Sequence, residues 1–519
     1  MTGMPTVWIG LDAVEGQEVE RRMADGRMPH LAALARRGRF RAVEPDVPGF
    51  CGGIWRSFVN GVPVGEHGWH FSKIWRPELG RLDQAGPDWL RLRPFWDKMS
   101  AAGLRIGLVD VPHAPDPGPG FDGVFVSGWQ THDYHPRLTR PAALAAELEA
   151  GFGRPWLRAE AYGPQTPGDL LRQHRQGLAS IRQIAAISEW LLGRHSLDFF
   201  MVVVGGAHRL GHYLWDLSQI DRERLPADDL ARLSGAMDDV YAACDDAVGR
   251  IASAAPAGAR IVAFALHGMG ANPGWTDLFP EMVRRLGGPG GGRQRRGLRD
   301  YVLQLRRSSW ALRAHPYIPD AVHRMIGRQW SSRMHAWRST RVFSVPGELG
   351  GNIRVNLAGR EAEGIVEPDA EYDDLCLELC ERLGRVYSLG GDEQPIVGSA
   401  HIVDRLVPTD AAFRTYLPDI VLEWSESRIG DSRGIALPGA GEIRWQPGRR
   451  IPSGRSGNHR PRGWALGDHG LGGFGAGQPN VLDLLPGLFG SVGLATDRKP
   501  GPGRLAAQAM EQDALARAS

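Results

Sequence analysis

Short apolar runs bounded by turn residues alternate along the chain with longer stretches in which apolar residues recur at i, i+3 and i+4. The runs at 6–11, 105–109, 198–204, 260–265 and 419–423 predict core strands, and the periodic stretches at 17–37, 178–192, 228–253 and 371–383 predict helices between them. Strand and helix in alternation is the pattern of an α/β fold built on a largely parallel sheet. In such folds ligands gather at the carboxyl edge of the strands, so the residues just beyond each run are the first place to look for chemistry.

The pattern breaks once in the middle. From about 283 to 341 the chain opens with a glycine-rich run at 287–292 and then carries many arginines with Trp310, Trp330 and Trp337 interleaved. This stretch predicts an inserted Arg/Trp-rich helical lid, either a solvated surface insert or a cover for an anionic substrate. The tail from about 498 predicts a frayed or peripheral helix. The expected division is 1–282 as the first part of the core, 283–341 as the lid, 342–497 as the second part of the core and 498–519 as the tail. No internal repeat is visible.

Charge narrows the partners. The 61 basic and 59 acidic residues leave a formal net charge of +2, so no global field points to nucleic acid or to an anionic membrane. Lys73, Lys98 and Lys499 are the only lysines, so anion binding, where it occurs, falls to local arginines. Cys51, Cys244, Cys376 and Cys380 have neither the number nor the spacing of a disulfide framework or a thiolate zinc motif. The N-terminus enters a strand without a basic leader, and no apolar run reaches the roughly 18 residues of a membrane span, so a cytoplasmic protein is expected.

Candidate chemistry sits where the strands end. Asp12 closes the first run, which suits either a ligand or the cap of the next helix. His208 and His212 follow the run at 198–204, and a four-residue spacing puts both imidazoles on one helical face, as divalent-metal pairs require. His267 ends the run at 260–265 and is followed by glycine, while His459 lies in a glycine- and arginine-rich loop. Each is ambiguous alone, but four of the five stand at or just beyond a strand end.

In order along the chain stand Gly10-Leu11-Asp12, Pro29-His30-Leu31, Cys51, Asn60-Gly61 and His67-Gly68. Then come His208 and His212, Ala265-Leu266-His267-Gly268-Met269, and Gly457-Asn458-His459. This succession, covering about 7–490, resembles the type I phosphodiesterase and nucleotide pyrophosphatase branch of the alkaline phosphatase superfamily. The resemblance implies a central mostly parallel sheet flanked by helices. It also implies two divalent metals side by side, with Cys51 at the nucleophile position. Carried over, one metal site would be Asp12, Cys51 and His267, and the other His208, His212 and His459.

Three positions depart from the family pattern. Leu266 stands where a carboxylate is expected, His208 replaces an aspartate, and Cys51 replaces Thr or Ser. The run after Cys51 lacks the Pro and Arg of the sulfatase motif in which cysteine becomes formylglycine. Fewer anions can offset less cationic charge. The expectation is therefore one tightly held Zn2+ at His208, His212 and His459, with a second possible near Asp12 and His267. A helix after Cys51 is expected to lower its pKa. Asp12 and His267 would orient the nucleophile, Asn60 would hold substrate oxygens, and Arg354 and Arg360 would either contact an anionic substrate or form structural ion pairs. The implied function is metal-dependent hydrolysis or transfer of a small-molecule phosphate-type ester, phosphodiester or pyrophosphate. The alternatives are a sulfate-ester enzyme of the same fold and a metal-binding pseudoenzyme.

Overall fold

The computed structural model describes residues 4–85, 92–118, 120–130, 137–156, 163–287, 337–348, 350–390, 393–446, 448–468 and 478–495. Nearly all of the expected lid, and the tail, lie outside them. Eight strands form the main sheet, in the spatial order Gly38–Val43, Gly463–Asp468, Arg260–Ala265, Thr6–Leu11, Phe199–Val204, Ile106–Val109, Gly123–Ser127 and Leu138–Arg140. The middle five, from Arg260–Ala265 to Gly123–Ser127, are parallel and the flanking pairs antiparallel.

The continuous apolar runs are explained by burial on both faces. Val7, Ile9 and Leu11 alternate into a core shared with Phe200, Val202 and Val204, under the helices Pro29–Arg37, Pro167–Arg194 and Ala236–Ala254. Trp8, Phe199, Met201 and Val203 point the other way, against Ile54–Asn60, Phe95–Ala101 and Leu484–Ser491. Two predicted helices are divided. The stretch at 17–37 forms Gly16–Ala24 and Pro29–Arg37, because Pro29 opens the second helix and disfavours a helical residue before it. The stretch at 228–253 breaks at Gly235 into Ala227–Ser234 and Ala236–Ala254. Pro167–Arg194 begins well before residue 178, launched by a capping box between Thr166 and Asp169. No described helix is long and apolar enough to cross a membrane.

The strand predicted at 419–423 exists as Ile420–Trp424 but belongs to a second, antiparallel sheet, in the order Val342–Val345, Gly350–Val355, Ile420–Trp424, Val397–Ile402. Ile420 and Leu422 pack into a separate core with Phe279–Leu286 and Ala370–Gly384. Val421, on the opposite face, packs on Val47 and Phe50, tying this layer to the loop that leads to Cys51.

Arg354 and Arg360 hold this layer together. The Arg354 side chain is fully buried, with Nε donating to Glu361 Oε1 (3.0 Å) and a terminal nitrogen to the Leu417 carbonyl (2.6 Å). Arg360 grips both oxygens of buried Asp419 at 2.6 and 2.7 Å, and Tyr372 and the Val355 amide donate to the same carboxylate. Burial disfavours the Asp419 charge, but the three neighbouring arginines outweigh it and hold the carboxyl far below its usual range. Removing one partner leaves a buried charge uncompensated. Asp419→Asn should therefore lower unfolding free energy by about 3–5 kcal/mol in urea titrations.

A second buried network supports the helix after Cys51. The Trp69 amide donates to His67 Nδ1, so Nε2–H donates to Ser57 Oγ (3.0 Å), and Ser57 donates to Asp46 Oδ2 (2.9 Å). Burial drives His67 down to about 3. It pushes Asp46 up to about 6 against hydrogen bonds from the Val64 amide and Ser57. A raised carboxyl gives stability that is full below the unfolded value of about 3.9 and is lost as pH rises through the folded one. Asp46→Asn should match wild type near pH 4 and exceed it by roughly 2–3 kcal/mol at pH 7, measured by chemical denaturation at both pH values.

Candidate metal and nucleophile site

The strands Arg260–Ala265, Thr6–Leu11 and Phe199–Val204 run in register, with Leu11 opposite Val204 and Gly10 opposite Phe264. Asp12, the helix Gly206–Leu214 and His267 therefore leave the sheet at one edge. His208 and His212 share a face of that helix, their ring centroids 5.1 Å apart. The antiparallel pairing of Gly268–Ala271 with Gly457–Arg460, which sets Met269 opposite His459, brings His459 back over the same edge. Its ring lies 4.6–4.9 Å from those of His208, His212 and His267.

Asp12 organises the cluster. Its Oδ2 accepts from His208 Nδ1 at 2.7 Å, while Oδ1 accepts from Trp55 Nε1 at 2.9 Å and lies 3.3 Å from His267 Nε2. Burial would raise this carboxyl, but His208 and His267 overcome it and hold Asp12 ionised. His459 Nδ1 lies 3.2 Å from Glu348 Oε2, and His212 Nδ1 lies 3.2 Å from the Gly457 carbonyl.

These acceptors fix the tautomers. With Nδ1–H engaged, His208, His212 and His459 each present Nε2 as a lone pair, and the Nε2 atoms of His208 and His459 face each other at 2.9 Å. Two lone pairs at that distance repel unless a proton or a cation lies between them. Burial, aided by neighbouring positive charge, drives His212 well below its usual value, and burial takes His459 to about 4 against the pull of Glu348. Three imidazoles that converge on one place, each with Nδ1 turned to a second acceptor, fit a zinc ion. The ligand atoms of His208, His212 and His459 lie within 4.8 Å of one another, as do those of Cys51, His267 and His459.

Cys51 is buried beside His267, to which it is hydrogen-bonded. Its loop passes so close to the 69–70 backbone that a Cβ on Gly53 would stand 2.1 Å from the Trp69 carbonyl. Contrary to the expected lowering, burial pushes the Cys51 thiol up, outweighing the charge of His267. Burial would lower His267, but Cys51 and Asp12 together hold it well above the usual imidazole range.

Asp12, Cys51, His208, His212, His267 and His459 thus come together, and the other three nominated residues do not join them. Asn60 lies at the far end of the seven-residue helix Ile54–Asn60, where its amide donates to the Arg56 carbonyl (3.0 Å). Arg354 and Arg360 are committed to Glu361 and Asp419 in the second layer. Glu348 and Trp55 join the cluster unannounced. Glu348 follows the strand Val342–Val345 and a Pro346-Gly347 turn, the same strand-end placement that drew attention to Asp12. Glu348 is half-buried, and its desolvation is outweighed by the pull of His459, His208 and His267, which brings its carboxyl down to about 2.

Among solved structures, the chain is similar to phosphonoacetate hydrolase from Sinorhizobium meliloti 1021 in complex with phosphonoformate, at 15% identity and a TM-score of 0.52, covering 95% of this chain and 96% of that one. It is similar also to human ectonucleotide pyrophosphatase / phosphodiesterase 5, at 11% identity and a TM-score of 0.44, covering 96% and 97%. At 15% identity the likeness to the hydrolase speaks to fold, and it agrees with the helix-flanked sheet described above. A search of curated proteins finds no match. Residues 6–295, more than half of the sequence, match the type I phosphodiesterase / nucleotide pyrophosphatase family, and the chain belongs to that family.

Proposed function

We propose that this protein is a metal-dependent hydrolase of a small phosphate-type ester, a phosphodiester or pyrophosphate. The observation that carries this reading is the convergence of three oriented imidazoles beside Cys51 and Asp12 at the carboxyl edge of the sheet. His208, His212 and His459 would hold one Zn2+. Occupancy by one ion rather than two is supported by His459, which belongs to both candidate groups. With Nδ1 turned to Glu348 it has a single lone pair to give, so the two groups compete for it.

Zinc bound there supplies Lewis-acid polarisation of a phosphoryl oxygen and positive charge that draws the Cys51 thiol toward thiolate. The chain's own groups do the rest. Asp12 holds His208 and His267 in place, and His267 balances the charge of the sulfur to which it is hydrogen-bonded. Cys51 sulfur attacks phosphorus in line, forming the S–P bond as the leaving oxygen departs. Water then cleaves that bond and restores the thiol.

The test is elemental analysis of the full chain together with hydrolysis of bis(p-nitrophenyl) phosphate and p-nitrophenyl sulfate. The expected result is zinc near one per chain and turnover of the phosphodiester above that of the sulfate. His212→Ala should cut occupancy and turnover by more than the roughly 10–100-fold that loss of an outer partner costs. Cys51→Ser should lower kcat. Turnover unchanged in both variants would overturn the site, and metal uptake without hydrolysis would assign a non-catalytic metal-binding role.

A further inference from the structure

Glu348 lies beyond the residues matched by the family and comes from the second layer, not from the sheet that carries the other cluster members. Two features deliver its carboxylate to the site. The turn that precedes it is pinned by Asn352, whose side-chain amide donates to the Pro346 carbonyl at 3.0 Å. The residue it approaches is Gly52, where a Cβ would stand 3.1 Å from Glu348 Cδ and 3.3 Å from Oε2. A larger residue beside Cys51 would crowd the carboxylate.

Oε2 lies 3.2 Å from His459 Nδ1, so Glu348 does for His459 what Asp12 does for His208. The two imidazoles whose Nε2 atoms meet at 2.9 Å are each backed by a carboxylate. The third, His212, is backed by a neutral carbonyl. Since Leu266 offers no charge, Asp12 and Glu348 are the carboxylates seen contacting the histidines around the converging lone pairs.

We infer that Glu348 is a positioning residue for His459 and a charge-balancing partner for the cation held by His208, His212 and His459, which makes the second layer a component of the metal site. This inference rests on the proposed function above and adds to it. A carboxylate in that place orients the ring, raises the basicity of Nε2 and offsets positive charge that three neutral ligands leave uncompensated.

Zinc affinity decides the matter, measured by competition with a chromogenic chelator on full-length metal-stripped protein. Glu348→Gln keeps an acceptor oxygen but loses the charge, and should weaken zinc binding roughly 10–100-fold. Glu348→Asp should recover part of that loss, and the visible spectrum of the cobalt-loaded chain should change in Glu348→Gln, since the His459 ring is no longer held by an anion. Melting of the metal-stripped chains reports whether either variant is simply misfolded, and the Asp variant carries the test if the Gln variant is. Wild-type zinc affinity in a folded Glu348 variant would overturn the inference while leaving the proposed function intact. A wild-type chain that binds no zinc would overturn both.

Discussion

The buried carboxylate of Asp12 is the contact on which the site depends. It stands at the end of a central strand, where the register of two neighbouring parallel strands delivers His208 and His267 to it, and the helix after Cys51 reaches it through Trp55. An ionised group with so little access to water is tolerable only because those donors surround it. The same donors are thereby fixed in orientation. The orientation of His208 and His267 follows from satisfying that one charge, while Gly457 and Glu348 orient His212 and His459.

Much of this could be read in the sequence because strand ends announce themselves. Thr6–Leu11 and Arg260–Ala265 are apolar after their first residue, so the polar residues that follow, Asp12 and His267, stand out by contrast. The four-residue spacing of His208 and His212 survives as a shared helical face. Motif order was a poorer guide to distance: Asn60 follows Cys51 closely in sequence, but seven helical residues carry it roughly 10 Å along the axis. The pairing of Arg354 and Arg360 was hidden because Asp419 lies 59 residues beyond Arg360, and only the fold brings them together. Glu348 was hidden for the converse reason, since its neighbours in sequence belong to another layer.

The departures at Leu266, His208 and Cys51 form one electrostatic adjustment. An apolar side chain and an imidazole stand where two carboxylates are expected, and burial raises the Cys51 thiol against the opposing pull of His267. Asp12 and Glu348 then bracket a centre whose ligands are otherwise uncharged.

The order in which the chain supplies its ligands has a consequence for biogenesis. His208 and His459 meet across 251 residues, and the strand that follows His459 pairs beside Arg260–Ala265 only after the whole second layer has been made. Contacts of such long range come late in folding. A nascent chain emerging from the ribosome carries Asp12, His208, His212 and His267 before His459 is added, 192 residues beyond His267. On the proposed function, metal capture is thereby deferred to a nearly finished molecule, since His459 and the strand Gly463–Asp468 of the main sheet are both made last.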